Sequence, residues 1–368
     1  MNMLGMGIVF ASGRGIDSLD RALHEGWQAP AEVEIKGRKS FAYKVDQQAI
    51  SDRTLLKNMR RADKLSKMAV VAASEALAGG MVNISPSPHP SPTGGEGAKI
   101  GVIVATALGA HVTTFDFLDD ILEYGDAGVS PTTFSNSVHN AAASYISSAL
   151  GIEGPTLTVT QFFFAFHSAL QLAQVWLNEG RCDYVLAGTV EQYGDVLAYV
   201  HDTKLVPAHD GRIKPFNLKP AFQVPGEGSV FFLLGNNPGN AFCEVQSVSV
   251  NDQADNLPPA DLNIIDADGL LEDESIYKEC LSPDVPAAAY SPLFGSMMSG
   301  SAFNCAAGAL MLKNQKSYAN PVTDNPYGFN IVNDTAPCSI ELIRCVRYNC
   351  FHERAEIYLR GKQIGEGR

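Results

Sequence analysis

No run of about 18 or more uncharged apolar residues occurs in this sequence, so nothing in it reads as a membrane-spanning helix. The opening residues, MNMLGMGIVFASGRG, lack the basic segment that precedes the apolar core of a secretory signal. No two cysteines form a C-x-x-C pair. Cys182, Cys243, Cys280, Cys305, Cys338, Cys345 and Cys350 are scattered and odd in number, which points to reduced thiols in a cytoplasmic protein and away from disulfides or structural zinc. The histidines show no H-x-x-x-H spacing, and no metal is expected. There is no G-x-S-x-G turn, and Ser168 beside His167 on one helix cannot make a triad by adjacency. Gly5-x-Gly7 lies inside the first strand, with no third glycine opening a helix, so no dinucleotide and no other cofactor is expected. Positive charge is also short: 27 Lys and Arg against 40 Asp and Glu give a net charge of −13. Such a surface repels phosphate backbones and anionic lipids, so neither nucleic acid nor membrane is expected as a partner.

What is present is a large α/β pattern. The 368 residues are 45% hydrophobic and 18% charged, enough for two ordinary domains or one large unit with a substantial core. Apolar strands are expected at 4–10, 99–107, 156–160, 183–188, 228–235 and 261–269, with two more in CSIELIRCVRY and RAEIYLRG. Helices are expected over 54–78, through TTFDFLDDILEYG, over NSVHNAAASYISSALG and over 166–179. SGSAFNCAAGALMLKNQ reads as a small-residue turn leading into a helix. NISPSPHPSPTGGEG, about 83–97, reads as a flexible Pro/Ser/Gly insertion in which His89 is solvated. Strands alternating with helices through short loops predict a mostly parallel buried sheet. The repeated pattern of buried strand, small-residue turn, helix and buried strand divides the chain into halves at 1–235 and 236–368.

One stretch is organised like a reactive centre: GPTLTVTQFFFAFHSALQLAQVWLNEGRCDYVLAG. A strand runs through a short turn into a helix and on to a second buried strand. The turn carries Phe162, Phe163 and Phe164, and a phenyl ring is no nucleophile.

This layout resembles the β-ketoacyl synthase family of the thiolase fold. Gly154-Pro155 and the TVT strand are similar to the strand that delivers the family's cysteine, and GRCDYVLAG to its following G-x-x-D-x-x-x-A-G strand. IKPFN…VPGEGSVFFLL resembles the family's Arg-Pro-Phe-Asp…Gly-Glu-Gly-Ala run. SAFNCAAGAL resembles its Gly-His-x-x-Gly-Ala-Ala-Gly turn. FSNSVHNAAASYISSALGIEGP resembles the helix at its dimer interface. The resemblance covers nearly the whole chain and implies two duplicated βαβαβαββ halves in an α-β-α-β-α layered architecture.

It also implies that the catalytic set is missing. Family members condense acyl units with a cysteine thiolate and two histidines. Here the cysteine position falls on Phe163, the first histidine on Asp268 and the second on Ala302. An anionic Asp268 would oppose a developing enolate. The resemblance therefore narrows to the family's cysteine-free subunits, the chain-length factors of type II polyketide and aryl polyene systems. It implies no independent activity and a heterodimer with an active ketosynthase. It also implies an acyl carrier protein that docks mainly on that partner, since an acidic surface is a poor landing site for an acidic carrier. Gly109, Val112, Phe115, Thr133, Phe134, Phe162 and Phe163 become candidates for the wall and gate of a polyketide tunnel. Val112 and Phe115 share a helix face at i, i+3, which Phe117 cannot; ordinary core packing is the competing reading of Phe115. Phe162 to Phe164 are expected to plug the vacated site, each buried ring contributing on the order of 1.5–3 kcal/mol. The rival expectation is an atypical decarboxylase or condensing enzyme using His167, at i+4 from Phe163, or Cys305. Burial in the core is the alternative for both. A purely structural ketosynthase-like subunit is the third possibility.

Overall fold

The computed structural model describes residues 1–35, 37–52, 54–55, 57, 59–80, 98–251 and 259–362. The 83–97 insertion with His89 lies outside them. The chain begins with β1 (Asn2–Phe10), β2 (Gly13–Arg14) and α1 (Ile16–Glu25), then a hairpin of β3 (Ala31–Ile35) and β4 (Arg38–Ala42). α2 (Lys64–Gly79), β5 (Ile100–Thr106), α3 (His111–Tyr124), α4 (Pro131–Asn136), α5 (Ala141–Leu150) and β6 (Thr156–Thr160) follow. α6 (Ala165–Asn178), β7 (Tyr184–Glu191), α7 (Asp195–Lys204) and β8 (Gly228–Gly235) complete the first half. The second runs through β9 (Cys243–Val250), β10 (Leu262–Ile265), β11 (Ala287–Ala288), α8 (Ser291–Phe294) and α9 (Ser301–Asn314). It ends with β12 (Lys316–Ser317), β13 (Ala336–Pro337), β14 (Leu342–Tyr348) and β15 (Arg354–Arg360).

The strand order is β11-β10-β14-β15-β9-β1-β8-β7-β5-β6. The two five-strand groups join through a short β1–β9 ladder, Asn2 opposite Glu244 and Met3 opposite Cys243. The sheet is mixed, not mostly parallel as the sequence pattern suggests. β5 runs parallel to β6 and β7, and β10 to β11 and β14. β8 lies antiparallel between β1 and β7, and β15 lies antiparallel between β14 and β9. Both intruders are as apolar as their neighbours, so composition carried no sign of direction.

Helices α6 and α9 each touch strands of both groups and form the central layer. α2 and α5 cover the outer face of the first group. Over the second group the outer cover among the described residues is the 3₁₀ turn Ser275–Cys280, packed on β10 and β14. Gly5 and Gly7 serve this packing. A Cβ at Gly7 would stand 2.0 Å from the Ala72 carbonyl oxygen and one at Gly5 1.9 Å from that of Ala76, so the two glycines let α2 press against β1.

Two helices differ from their expected spans. The 54–78 helix begins only at Lys64, because Asp63 caps it, its carboxylate accepting from the Ser66 N–H at 2.8 Å. The helix expected over 136–151 is broken. Asn136 spends its side chain on long-range bonds, donating to the Arg61 carbonyl at 2.6 Å and accepting from the Tyr145 hydroxyl at 2.9 Å. α5 then starts afresh at Ala141 and stops at Gly151 in the left-handed conformation. All seven cysteines are free. Among the described residues no helix is long and apolar enough to cross a membrane.

Candidate functional site

The site lies at the carboxyl ends of β6, β10 and β14. β6 ends at Thr160, and Gln161–Phe164 turn the chain into α6. The turn is tight: the Phe164 N–H donates to the Phe162 carbonyl at 2.7 Å. Phe163, between them, has φ 63°, the left-handed form of a γ-turn. A bulky aromatic residue there is strained on the order of 1–3 kcal/mol and persists only where the surroundings over-determine it. The surroundings are apolar. Phe163 and Phe164 are buried against Phe216, Leu218, Ile265 and Ala267. Phe162 is not part of that plug: it is 57% exposed, against 8% for Phe163. Three consecutive residues in a sharp turn cannot all point inward.

Behind the Phe163 ring stands a charge. The Arg347 guanidinium carbon is 5.3 Å from the ring centroid. β14 carries Arg347 and β10 carries the acidic turn Asp266–Asp268. The two strands are parallel neighbours with Ile265 opposite Val346, and the Asp266 N–H donates to the Val346 carbonyl at 3.0 Å. That register sets Arg347 Nη1 at 3.0 Å from Asp268 Oδ2 and 3.8 Å from Asp266 Oδ2. Asp266 also accepts hydrogen bonds from Ser301 and Asn304 of α9. Nearby Glu274 accepts from the Gly269 N–H at 2.8 Å. All four charged side chains are buried.

One guanidinium faces three carboxyls out of water, and their acidities respond. Burial pushes Asp268 up to about 6, Arg347 pulling against it and Asp266 reinforcing it. Burial raises Asp266 too, against Arg347 and its two hydrogen bonds. Glu274 rises well above the carboxylate range through burial and then repulsion from Asp268. Burial works against the charge on Arg347, but Asp268 and Asp266 outweigh it and keep the guanidinium protonated.

The sequence-derived positions are placed as follows. Phe163 and Asp268 meet through Arg347. Ala302 is fully buried in the central core, next to Ser301, which reaches Asp266. The free space beside the cluster, lined by Asp266, Asp268, Asn304 and Arg347, is about 10 Å³, room for roughly one water and no acyl chain. His167 is a buried neutral imidazole flanked by Phe164 and Phe166. Burial first, and then Arg347, lower it to about 3. Cys305 is fully buried, and burial pushes its thiol well up. Neither has the setting of a reacting group.

The tunnel candidates divide. Gly109, at φ 58°, packs on His139, whose Nδ1 would be 1.9 Å from any Cβ there. Val112 is half-buried against Gly194. Phe115 is 41% exposed, so it is not ordinary core. Phe117 turns the other way and meets the Phe134 ring at 5.5 Å. Thr133 is half-buried; Phe134 and Phe162 are exposed. Sequence reading missed Arg347, Asp266 and Glu274. A signal existed: Arg344 and Arg347 interrupt an otherwise apolar strand, and two aspartates flank one alanine at the end of another.

Residues 2–237 match the family described as "Beta-ketoacyl synthase, N-terminal domain". That is well over half of the chain, and the protein belongs to the β-ketoacyl synthase family. A curated relative named "Putative polyketide beta-ketoacyl synthase 1", from Streptomyces virginiae, is 25% identical over 248 residues, 62% of this chain and 56% of that protein. The chain thus spans little more than half that relative's length. A solved β-ketoacyl synthase from Burkholderia phymatum aligns with a TM-score of 0.79 at 17% identity, over 98% of this chain and 99% of that one. The ishigamide ketosynthase/chain length factor aligns with a TM-score of 0.77 at 14% identity, with the same coverage of each chain. These likenesses establish the mixed α/β, thiolase-like ketosynthase fold.

Proposed function

We propose that this chain is a non-catalytic chain-length factor that pairs with an active ketosynthase and shapes the tunnel in which a polyketide grows. The observation that carries the reading is Phe163 in the left-handed turn at the end of β6, closed from behind by the Arg347–Asp268 pair. A phenyl ring accepts no acyl group. Asp268 offers a carboxyl where the family places a histidine, and Ala302 offers a methyl where it places another. The strand–turn–helix remains because the core and the exposed face beside it depend on it.

That exposed face supports pairing. β6 hydrogen-bonds only to β5, leaving its other edge open among the described residues, and Leu157, Phe162, Phe134 and Phe115 are exposed. An open strand edge flanked by apolar side chains is a template for another chain. In this reading the partner holds the chemistry and receives the acyl carrier protein. Gly109, Val112, Phe115, Thr133, Phe134 and Phe162 contribute tunnel wall or gate, and Phe163 closes this subunit's own site. The rival reading, an atypical decarboxylase or condensing enzyme, has to draw its reacting group from His167 or Cys305, both buried.

The test is co-expression with an intact ketosynthase and its carrier protein, reading product length by mass spectrometry. The partner's activity should require this chain, and tunnel substitutions should shift product length. Malonyl-carrier decarboxylation by the purified chain alone would overturn the reading. Product length indifferent to every tunnel substitution would reduce the chain to a structural subunit.

A further inference from the structure

The exposed face has a charge as well as a shape. From Ile100 to Gly180 the chain contains no lysine or arginine and seven acidic residues. This segment builds α3, α4, α5, β6 and α6: α5 packs on β6, His139 and Asn140 adjoin β6, and Thr114 of α3 donates to the Ser137 carbonyl just before them. On α3 the apolar side chains Phe115, Leu118 and Leu122 recur at i, i+3 and i+7 and are all exposed, Leu122 at 84%. Asp116, Asp119 and Glu123 are exposed beside them, and Asp120 is half-buried. The charges already crowd one another: burial first, and then Asp119, Asp120 and Asp195, raise the Asp116 carboxyl.

We propose that this face is a charge filter on pairing, refusing a second copy of this chain and accepting a ketosynthase-fold subunit whose matching face is cationic. The inference rests on the pairing proposed above. Strands that pair edge to edge about a two-fold axis form an isologous interface, in which each patch meets its own image. Two copies of this chain would then set the α3 carboxylates of one against those of the other around an apolar stripe, with no cation from α3 to α6 to offset them; Arg61, which borders Asn136 and Tyr145, lies outside these elements. Desolvated like charges at an interface disfavour the wrong partner more strongly than apolar contact discriminates among right ones. A partner of the same fold with lysines or arginines at the equivalent helix keeps the apolar contact and replaces repulsion with attraction.

The test uses this chain alone. Sedimentation velocity compares the wild type with the neutralised variant D116N/D119N/D120N/E123Q, and with an equimolar mixture of wild type and the reversed variant D116K/D119K/E123K. Each is run at about 0.01 M and about 1 M salt, where the screening length falls from ~30 to ~3 Å. In low salt the neutralised variant should self-associate at least about tenfold more tightly than the wild type, and wild type should pair with the reversed variant in preference to itself, by about the same factor. High salt should erase both differences. Equal self-association of wild type and neutralised variant, including none by either, overturns the proposal; so does a mixture with no preference. Chain-length function fails by a different result, product length unmoved in co-expression, which leaves these association ratios untouched.

Discussion

Nη1 of Arg347 stands 3.0 Å from Oδ2 of Asp268, and both side chains are buried. The pair sits where the thiolase-like framework brings three strand ends together, and it fills that space with opposite charges in contact. Breaking such a pair is costlier than never having it, because the survivor stays buried without its counter-charge. Arg347→Met should destabilise by about 3–5 kcal/mol, read as a lower urea midpoint with unchanged slope. Asp268→Asn should cost less, since Asp266 still faces the guanidinium. Equal losses would show that Asp266 takes no share.

Phe163 allows a sharper comparison. Truncating a buried phenylalanine to alanine costs about 3–5 kcal/mol. Glycine loses the same ring but relaxes the left-handed backbone that strains any larger residue. Phe163→Gly should therefore be more stable than Phe163→Ala by roughly 1 kcal/mol, the reverse of the usual order in regular structure. Denaturation of the two variants decides it, and an alanine variant of equal or greater stability would mean that φ 63° is not strained here.

Glu191 predicts a pH dependence. Its carboxylate accepts from the Ala107 N–H at 2.6 Å and the Ser299 hydroxyl at 2.7 Å, tying the ends of β5 and β7 to the turn before α9. Burial nevertheless pushes it from 4.5 to about 7, against the pull of those bonds. A carboxyl raised in the folded state stabilises when protonated. Its contribution is complete below the unfolded value near 4.5 and is lost as pH rises through about 7. Asp268, pushed up to about 6, acts in the same direction. The Glu191 contribution should fall between pH about 4.5 and 7, by on the order of 3 kcal/mol. Buried His167, lowered to about 3, works in the opposite direction over the same window, so the test is a difference. Glu191→Gln should gain on the wild type in urea titrations as pH rises from 5 to 7, and a wild type–variant difference independent of pH would contradict the assignment.

Phe115→Ala should lengthen the product in a co-expressed ketosynthase complex if this side chain is the gate. Its exposure predicts little change in the stability of the isolated chain, within about 0.5 kcal/mol. Gly109→Ala is the contrasting variant. Its Cβ has no room beside His139, so it should lose stability and partner activity together instead of shifting length. An unchanged product distribution from Phe115→Ala removes that residue from the gate.

The local steps were legible in the chain. β8 occupies its expected residues, 228–235, because five apolar residues, Val230 to Leu234, run in succession before Gly235. The β6–turn–α6 step follows from a short strand, a turn and an amphipathic helix in succession. The divergence of Phe115 from Phe117 follows from helical spacing alone. The resemblance in motif order, with the family match over residues 2–237, covers the step from pattern to fold. What could not be read locally was direction and depth: β8 and β15 run against their neighbours, and Phe162 stays outside while Phe163 and Phe164 go in.

By itself the sequence determined that a phenylalanine stands at the turn, that the helices carry their apolar faces and that one segment has acidic residues but no lysine or arginine. Only the tertiary structure decided that Arg347 meets Asp268 across 79 positions of chain and lies over the ring of Phe163. The reason is physical. Helix faces and turns are set by neighbours in sequence. A buried charge is set by strand register between β10 and β14, and by the exclusion of water that only the assembled core provides.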